Sequence, residues 1–532
     1  MKKLVALFGA ILILSMMGLN SYGQKLEAQN TYELTGKAKR GALANVGYDG
    51  SQYKLTYITK STDTKIKMQH YFFDNDFNFI KMEEEEDYPE KLAVKYTWYK
   101  WNGEWYSVEG NYVEPNLTGT LVLKRKKTTY KYDWILLGYY KTVEILDKVK
   151  PKTDDGRKFY YFAHAEDDKT GDIYVLCGVK ANLKDVQQDK SAAYRHNMDM
   201  TVMKFNSSLE LVKEVPIKFE FPNQHAFVRA IGNASNDFTT PEIGGMAFIF
   251  APIGGPGINK YADPGICNYR YVRVDHDLNI IDDIKFESGA SYWKIDEMVP
   301  DISTGDVYFY GPSAEGKDKY YNMSLAITKF KAVQLLKVSN HKVSYLTETN
   351  LEEFEAKLKC PPSQKKSPAY AGKKFEIANY KLASNGDFFV LGQNKDDKGF
   401  KDVLSFHFDK NGVLKSQYGI DLNETNDFSK VNGAPQIFFE SPTGKNMYWL
   451  IQEIRGVTTW TEKPLTYPRL GTIEVETGNI SDFTQLGKVD KNVYYLDPNY
   501  PYLETNKGNR IAFFGSDKSG KNIWFCRVSF DE

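Results

Sequence analysis

The sequence predicts an all-β fold built from repeated four-stranded antiparallel units, and two recurring turns support this prediction. The first turn places a glycine just ahead of an apolar stretch. It recurs at Gly50, Gly119, Gly171, Gly244, Gly305, Gly386, Gly444 and Gly508. Its most regular copies cover residues 170–176, 304–310 and 385–391. Each copy predicts a tight turn that leads into a strand.

The second turn is rich in Asp and Asn and follows the first one along the chain. Residues 73–80 resemble residues 274–281, and looser copies begin at Phe205, Val338, Phe408 and Val475. Asp and Asn suit a tight corner because their side chains bond to the local backbone and tolerate left-handed conformations. Each unit is therefore strand, Gly turn, strand, variable loop, strand, Asx turn, strand. Four antiparallel strands per unit are typical of the blade of a β-propeller.

The number of blades depends on the region around Gly119, which has the first turn but no clean second turn. The interval from Phe73 to Phe205 is about twice the usual spacing, so eight blades are favoured. Seven blades with an insertion are the alternative. The chain ends at residues 528–532, where the last blade's fourth strand would begin, and residues 31–35 can supply that strand and close the ring.

The N-terminus has the pattern of a secretory signal peptide over residues 1–23. Lys2 and Lys3 precede an apolar stretch over residues 4–19, and the small residues Ser21 and Gly23 predict cleavage after Gly23. Residues 24–532 are then expected to form one β-propeller domain, exported as a monomer to the periplasm or the cell exterior. No later stretch is apolar over the roughly 20 residues that a membrane span needs.

Composition and motifs argue against several functions. Lys plus Arg and Asp plus Glu number 69 each, so no net field favours nucleic acid. No two of the seven histidines have the spacing of a helical metal pair, and the sequence has neither a GxSxG motif nor a phosphate-binding loop. We therefore expect no metal and no cofactor. Whether any of the four cysteines pair is left open.

The innermost strand of each blade should line the central channel, and several of these strands carry titratable or charged residues. The candidates for a site there are His164, Arg229, Asp296, Glu297, Glu376 and Glu440. Two or three converging carboxylates could supply the acid and base of glycoside cleavage. Charged residues at a wet channel rim are the simpler interpretation.

The long connections predict the binding face. The Gly and Asx turns lie at one edge of each sheet, so the second-to-third and inter-blade connections lie at the other. Residues 181–197, 253–268 and 456–469 are long connections of this kind, and residues 350–361 add a short amphipathic helix. Insertions concentrated on one face of a repeat protein usually mark its binding surface.

One segment, residues 516–524, resembles the Asp-box turn of sialidase-type propellers, which is a structural signature and not a catalytic one. The whole-chain pattern resembles that of exported bacterial β-propeller proteins of uncharacterised function. The resemblance implies the fold and implies no activity.

Two functions follow as hypotheses. The first is a secreted, non-enzymatic binding propeller that presents its long-loop face to a glycan, peptide or protein. The alternative is a carbohydrate-active hydrolase or lyase that uses the channel carboxylates, which would then face each other about 5–9.5 Å apart.

Overall fold

A computed structural model shows an all-β protein, with 63% strand and 7% helix, and confirms the predicted fold class. The structure describes residues 24–61, 65–87, 106–133, 138–167, 169–232, 243–254, 268–288, 292–301, 303–314, 331–372, 374–422, 427–457, 464–489, 491–504 and 509–530. The chain divides into two compact units. The first contains Met1–Asn102 and Leu351–Glu532, and the second contains Gly103–Asn350. That residues 24–532 form one domain stays a prediction.

The first unit begins with a strand that pairs elsewhere and a four-stranded sheet. Its strands are β1 (Gln24–Glu33), β2 (Ala42–Tyr48), β3 (Tyr53–Ser61), β4 (Ile66–Phe73) and β5 (Phe79–Asp87). A 3-10 helix at Ala38–Arg40 separates β1 from β2. Strands β2 to β5 form an antiparallel sheet in chain order. Alternate residues of β3, Tyr53, Leu55 and Tyr57, are buried on one face, as the period of a strand requires.

The second unit contains four successive antiparallel sheets. Its strands are β6 (Tyr106–Val113), β7 (Leu123–Asp133), β8 (Gly138–Val149), β9 (Phe159–Glu166), β10 (Ile173–Val179), β11 (Asp199–Phe205), β12 (Leu211–Lys218), β13 (Asn223–Gly232), β14 (Ile243–Pro252), β15 (Asn268–Asp275), β16 (Ile280–Glu287), β17 (Tyr292–Trp293), β18 (Glu297–Pro300), β19 (Val307–Ala314), β20 (Ala332–Ser339) and β21 (Lys342–Asn350). The sheets are β6–β8, β9–β12, β13–β16 and β17–β21. Helix α1 (Leu183–Gln188) and a 3-10 helix at Lys190–Asn197 lie between β10 and β11.

The rest of the first unit contains two further sheets. Its elements are α2 (Leu351–Ala356), β22 (Leu358–Lys359), β23 (Lys374–Leu382), β24 (Phe388–Asp396), β25 (Gly399–Phe408), β26 (Leu414–Ile420), α3 (Asp427–Val431), β27 (Gln436–Glu440), β28 (Asn446–Val457), β29 (Pro464–Glu474), β30 (Thr484–Gln485), β31 (Lys488–Val489), β32 (Asn492–Leu496), β33 (Tyr502–Glu504), β34 (Arg510–Asp517) and β35 (Asn522–Phe530). Strands β22 to β26 form one sheet. The other sheet joins β27–β29 to the last strands through a single residue pair, Thr466 and Leu496.

The predicted N-terminal strand completes the last sheet. Strand β1 pairs antiparallel with β35 along its full length, from Gln24 opposite Phe530 to Glu33 opposite Asn522. The strand is therefore longer than the predicted 31–35 and begins earlier. Glu27 fixes it in place, because its carboxylate accepts hydrogen bonds from Arg510 Nε at 2.9 Å and from Arg527 Nε at 2.7 Å.

Six of the predicted glycine turns have the expected backbone. The glycines with positive φ are Gly50, Gly119, Gly171, Gly305, Gly386 and Gly444. At Gly305, φ is +77° and no heavy atom lies within 4 Å of the position that a Cβ would take, so the backbone angle alone favours glycine there. The turn assigned to Gly244 is wrong, because this residue lies inside β14. Gly508 lies outside the described residues.

The Asx turns also form. Asp275 Oδ1 accepts the backbone N–H groups of Asp277 at 2.9 Å and Asn279 at 2.8 Å, and Leu278 takes a φ of 58°. The copies that begin near residues 73, 205 and 408 are closed in the same way. The copy near Val338 is a two-residue turn with positive φ at Asn340 and His341. The region around Gly119 contains the three-stranded sheet β6–β8, and the choice between seven and eight blades stays a prediction.

Buried apolar clusters join neighbouring sheets within each unit. In the first unit, Tyr53 and Phe73 of the β2–β5 sheet pack against Phe525 of β35. In the second unit, Tyr174 of β10 and Phe248 of β14 share one cluster. The predicted helix after Asn350 is the single-turn α2, and its Phe354 is fully buried. Large rings thus fill the space between neighbouring sheets.

Candidate functional site

A pocket of about 720 Å³ opens in the first unit. It lies at the edge of the sheets where second strands pass to third strands, the edge that the sequence assigned to binding. Its apolar walls include Leu43 of β2, Leu465 of β29 and Ile523 of β35. The full lining is Lys39, Leu43, Tyr57, Pro464, Leu465, Tyr495, Leu496, Asp497, Pro498, Phe514, Gly515, Ser516, Asp517, Lys518, Ser519, Gly520 and Ile523.

The turn between β34 and β35 forms one rim of the pocket, and Asp517 shapes it. Oδ1 of Asp517 accepts hydrogen bonds from the backbone N–H groups of Ser519 and Lys521 at 3.1 and 3.0 Å, and Oδ2 accepts one from Asn522 Nδ2 at 2.7 Å. Burial acts to raise the pKa of Asp517, but these hydrogen bonds outweigh it and lower the pKa. The carboxylate that resembles an Asp box is therefore fully used in holding the turn.

Asp497 is the other carboxylate of the pocket, and it follows the end of β32. Its Oδ1 accepts the backbone N–H groups of Asn499 and Tyr500, both at 2.9 Å. Its own N–H donates to the carbonyl of Phe514 at 3.0 Å, which fixes the chain at this point. Across the described part of the chain, Oδ2 has no hydrogen-bond partner and the carboxylate forms no ion pair. Asp497 therefore brings an uncompensated negative charge to the pocket.

Tyr57 of β3 is the second polar group of the pocket floor. Its ring packs edge-on against Tyr71, with centroids 5.8 Å apart, and 6% of the residue is exposed. No described residue forms a hydrogen bond with its hydroxyl. Burial, and after it the negative charge of Asp497, raise the pKa of Tyr57. The hydroxyl thus stays neutral and is free to donate or accept a hydrogen bond.

Two lysines lie at the pocket margin. Lys39 Nζ is bound to Glu33 Oε1 at 2.5 Å, so its charge is already paired. The hydrogen bond from Lys39 lowers the pKa of Glu33. Lys518 is exposed on the Asp517 turn, where water screens its charge.

The predicted channel candidates of the first unit lie elsewhere. Glu376, near the start of β23, pairs with Lys395 at 2.7 Å. Burial acts to raise the pKa of Glu376, but the hydrogen bonds and charges of Lys395 and Lys374 together outweigh it and lower the pKa. Glu440 accepts hydrogen bonds from the N–H and the hydroxyl of Ser384, beyond the end of β23, at 2.7 and 2.6 Å. Ser384 is eight residues from Glu376, so the two carboxylates lie beside opposite ends of β23, roughly 26 Å apart at about 3.3 Å per residue.

The candidates of the second unit form local pairs. Glu297 of β18 forms an ion pair with Arg229 of β13, and the pair joins two sheets. Asp296 pairs with Lys294 at 2.5 Å. His164 Nδ1 lies 2.7 Å from the hydroxyl of Tyr161, and its Nε2 lies 3.5 Å from Glu166. Of the six predicted residues, the described contacts bring Arg229 and Glu297 together. That the six form a site stays a prediction.

Sequence reasoning missed Tyr57 and Asp497. The Asp-Pro-Asn sequence that starts at Asp497 is a turn signal, which indicates a capping role and no more. Tyr57 and Asp497 line the same pocket because β1 and β35 bring the two ends of the chain together, and no local sequence pattern shows this.

The remaining sequence-based expectations concern the long connections, the cysteines and metal binding. The long connection at 181–197 contains α1 and a 3-10 helix, whereas most of residues 253–268 and part of 456–469 lie outside the described residues. Cys177, Cys360 and Cys526 are free thiols, and Cys267 lies outside the described residues. In the described ranges, no group of three or more His, Cys, Asp or Glu is arranged to hold a metal ion.

No helix in the ranges that the structure describes is both long enough and apolar enough to span a bilayer.

Comparisons with known proteins give distant structural likenesses. No protein-family model matches the sequence, and no curated protein matches it. The WD40 domain of SCAP from fission yeast matches at 7% identity and a TM-score of 0.26, over 95% of this chain and 98% of that one. Lignostilbene dioxygenase from Pseudomonas brassicacearum matches at 11% identity and a TM-score of 0.25, over 88% of this chain and 90% of that one. The GH43_1 enzyme from Xanthomonas citri, complexed with xylotriose, matches at 8% identity and a TM-score of 0.22, over 57% of this chain and 84% of that one. At these TM-scores the likenesses carry no argument about function.

Proposed function

We propose that this protein is an exported, non-enzymatic binding protein that holds its ligand in the pocket lined by Tyr57 and Asp497. The observation that supports the proposal is the unused hydrogen-bonding capacity of these two groups on the floor of a largely apolar pocket. Small-molecule sites combine apolar walls with a few convergent polar groups in this way. The volume of about 720 Å³ falls in the range of about 300–1,000 Å³ that is usual for such sites.

Binding fits the pocket better than glycoside hydrolysis does. Hydrolysis of a glycoside by the usual mechanism needs two carboxyl groups that flank the bond. Of the two carboxylates that line this pocket, Asp517 is saturated by its own turn, and Asp497 alone retains a free oxygen. The pair Glu376 and Glu440 is too widely separated to act together.

Export is part of the same proposal. The predicted cleavage after Gly23 would leave Gln24 as the first residue of the mature chain, and β1 begins at Gln24. Cleavage at that point would keep the whole pairing with β35.

A substitution that fills the pocket tests the proposal. Ser519 lines the pocket, and its N–H and hydroxyl both bond to Asp517. Ser51 makes the same two bonds to Asp49 in a turn at the opposite edge of a sheet. Ser519→Trp and Ser51→Trp therefore lose the same hydroxyl bond and keep the backbone one, and we expect the first alone to block the pocket.

The readout is ligand-observed NMR with a mixture of small amines, carboxylic acids, sugars and short peptides. We expect at least one component to bind the wild type and the Ser51→Trp variant and to lose binding in Ser519→Trp. Equal binding to all three proteins, or no binding to the wild type, would contradict the proposal.

A further inference from the structure

We infer that the ligand of this pocket presents a primary ammonium group on an aliphatic stem, as a lysine side chain does. The ammonium contacts Oδ2 of Asp497 and the hydroxyl oxygen of Tyr57. This inference rests on the proposed function and specifies the chemistry of its ligand.

Charge is the first argument. A carboxylate that is half-buried against apolar walls is costly unless a cation or hydrogen-bond donors compensate it. The backbone compensates Oδ1 of Asp497 through the N–H groups of Asn499 and Tyr500. Nothing in the described ranges compensates Oδ2. A cationic ligand removes this cost, whereas an anionic ligand would meet a like charge.

The number of free oxygens distinguishes an ammonium from a guanidinium. A guanidinium recognises a carboxylate best when its planar fork meets both oxygens, whereas an ammonium is a compact charge with three donors that turn freely. Because two backbone bonds already occupy Oδ1 of Asp497, a fork finds one available oxygen. The Tyr57 hydroxyl adds a second acceptor from a different strand, and an ammonium with three donors can bond to both groups.

The pocket walls indicate the rest of the ligand. Leu43, Leu465 and Ile523 give a lining that matches methylene groups. The rings of Phe514 and Tyr57 are 2% and 6% exposed, so neither offers an open face on which a sugar ring could stack, and Tyr495 is the one half-exposed aromatic ring of the lining. The apolar lining therefore favours an aliphatic stem.

The two lysines at the margin do not remove the preference for a cation. Lys39 is paired with Glu33, and Lys518 is exposed. Replacing Lys518 with Met should therefore strengthen binding of an amine by about twofold or less, as expected for a screened surface charge.

The test compares four probes that differ in the head group. Calorimetric titration of the full mature chain uses n-hexylammonium, hexan-1-ol, hexanoate and hexylguanidinium, and adds a short peptide with one internal lysine. We expect n-hexylammonium to bind at least about tenfold more tightly than hexan-1-ol and hexanoate, since a desolvated charged hydrogen bond contributes about 1.5–3 kcal/mol. It should also bind more tightly than hexylguanidinium, whose planar fork finds one available oxygen at Asp497.

Two variants and a matched control locate the effect. Asp497→Asn keeps an oxygen for the backbone bonds and removes the charge, so it should weaken n-hexylammonium binding at least about tenfold. Tyr57→Phe removes the hydroxyl alone and should weaken it by about threefold to tenfold. Asp49→Asn is the control, because Asp49 caps an equivalent turn through Ser51 and Gln52, outside the pocket. It should leave affinity unchanged.

The outcomes separate the inference from the proposed function. If hexan-1-ol or hexanoate binds as tightly as n-hexylammonium while Ser519→Trp abolishes binding, the ammonium inference is overturned and the proposed function stands. If no probe and no component of the NMR mixture binds, both are overturned. If the lysine peptide binds more tightly than n-hexylammonium, the inference is supported and the ammonium belongs to a peptide. If n-hexylammonium binds more tightly than the peptide, the inference is supported and the ammonium belongs to a small amine. If Asp497→Asn loses its native near-UV circular dichroism, that variant has not folded. The affinity of Tyr57→Phe for n-hexylammonium then tests the inference instead.

Discussion

Asp306 and Asp497 are both aspartates beside the end of a strand, and they differ in whether the described part of the chain supplies a cation partner. Asp306 follows the Gly305 turn and forms an ion pair with Lys337 at 2.7 Å. Asp497 follows β32, caps its own turn and has no cation partner among the described residues. A carboxylate whose partner is supplied by the chain stabilises the fold, whereas Asp497 retains capacity for a ligand.

The arrangement at Asp306 is repeated, which shows that it belongs to the fold. Asp172 pairs with Lys204 at 3.1 Å, and Asp387 lies 2.8 Å from His407 Nε2. In each sheet the cation or imidazole is directly opposite an aromatic residue two positions after the aspartate. These cross-strand pairs are Tyr174 with Lys204, Tyr308 with Lys337 and Phe389 with His407.

The largest effect should come from removing a carboxylate together with the strand that carries it. Deleting residues 24–33 removes Glu27 and every hydrogen bond between β1 and β35, and leaves Arg510 and Arg527 without this partner. We expect a loss comparable with the whole stability of a domain, about 5–15 kcal/mol, seen as the absence of a cooperative transition in urea. The variant Glu27→Gln keeps the strand and should retain a transition. A deletion variant that unfolds like the wild type would show that β1 contributes little.

The second effect concerns His196, a half-buried imidazole that forms no ion pair with a carboxylate of the described residues. Burial, and after it the charge of Lys180, lower the pKa of His196 to about 4 from an ordinary value of 6.5. Because the folded pKa is the lower one, the stability is complete above about pH 6.5 and is lost as the pH falls towards 4. The difference between the two pKa values of His196, 6.5 and about 4, corresponds to about 3 kcal/mol in the free energy of unfolding.

The variant His196→Phe tests this expectation, since it keeps a ring against Tyr160, whose centroid is 4.4 Å from that of His196. Urea unfolding between pH 7 and pH 4 should show a smaller loss of stability in the variant than in the wild type. If the free energy of unfolding falls equally with pH in the variant and in the wild type, His196 does not titrate in this range.

The third effect tests the ion pair itself. Asp306→Asn removes the charge opposite Lys337, and we expect a loss of about 2 kcal/mol in urea unfolding. The partial exposure of both side chains, 19% and 11%, makes a larger effect unexpected. If Asp306→Asn is as stable as the wild type, the ion pair with Lys337 does not stabilise the fold, and Asp306 and Asp497 no longer differ in this respect.

The smallest effect concerns the turn that presents Asp306. Gly305→Val places a β-branched residue at a φ of +77° without any steric contact, and should cost about 1–2 kcal/mol. Gly36→Val is the control, because Gly36 has open space around its Cβ position and no positive φ. Urea midpoints that are equal for the two variants would show that the backbone angle carries no cost.

Local chemistry made the repeats predictable from the sequence, and tertiary contacts made the site unpredictable. Gly305 and Asp275 close turns through their own backbone or side chain, so their roles are visible in a few residues. Gly244 was misassigned because a glycine before an apolar run also occurs inside a strand. The sequence does not show that Ser384 of the preceding sheet binds Glu440, and the position of Glu440 in a central channel stays a prediction.

The pocket depends on contacts between distant parts of the chain. Tyr57 and Asp497 meet because the first sheet packs against the last one, which β1 completes. The Asp-Pro-Asn turn signal at Asp497 indicates no more than a capping role, and the absence of a partner at Oδ2 among the described residues depends on tertiary contacts that no local pattern contains.

The measurement that tests the central claim most directly determines stability and binding on the same samples of Asp306→Asn and Asp497→Asn. Each protein is unfolded in urea and titrated with n-hexylammonium. The account predicts opposite outcomes: Asp306→Asn loses about 2 kcal/mol of stability and binds the amine as the wild type does, while Asp497→Asn keeps its stability and loses at least about tenfold in affinity. Two variants that lose stability and affinity in the same proportion would contradict it.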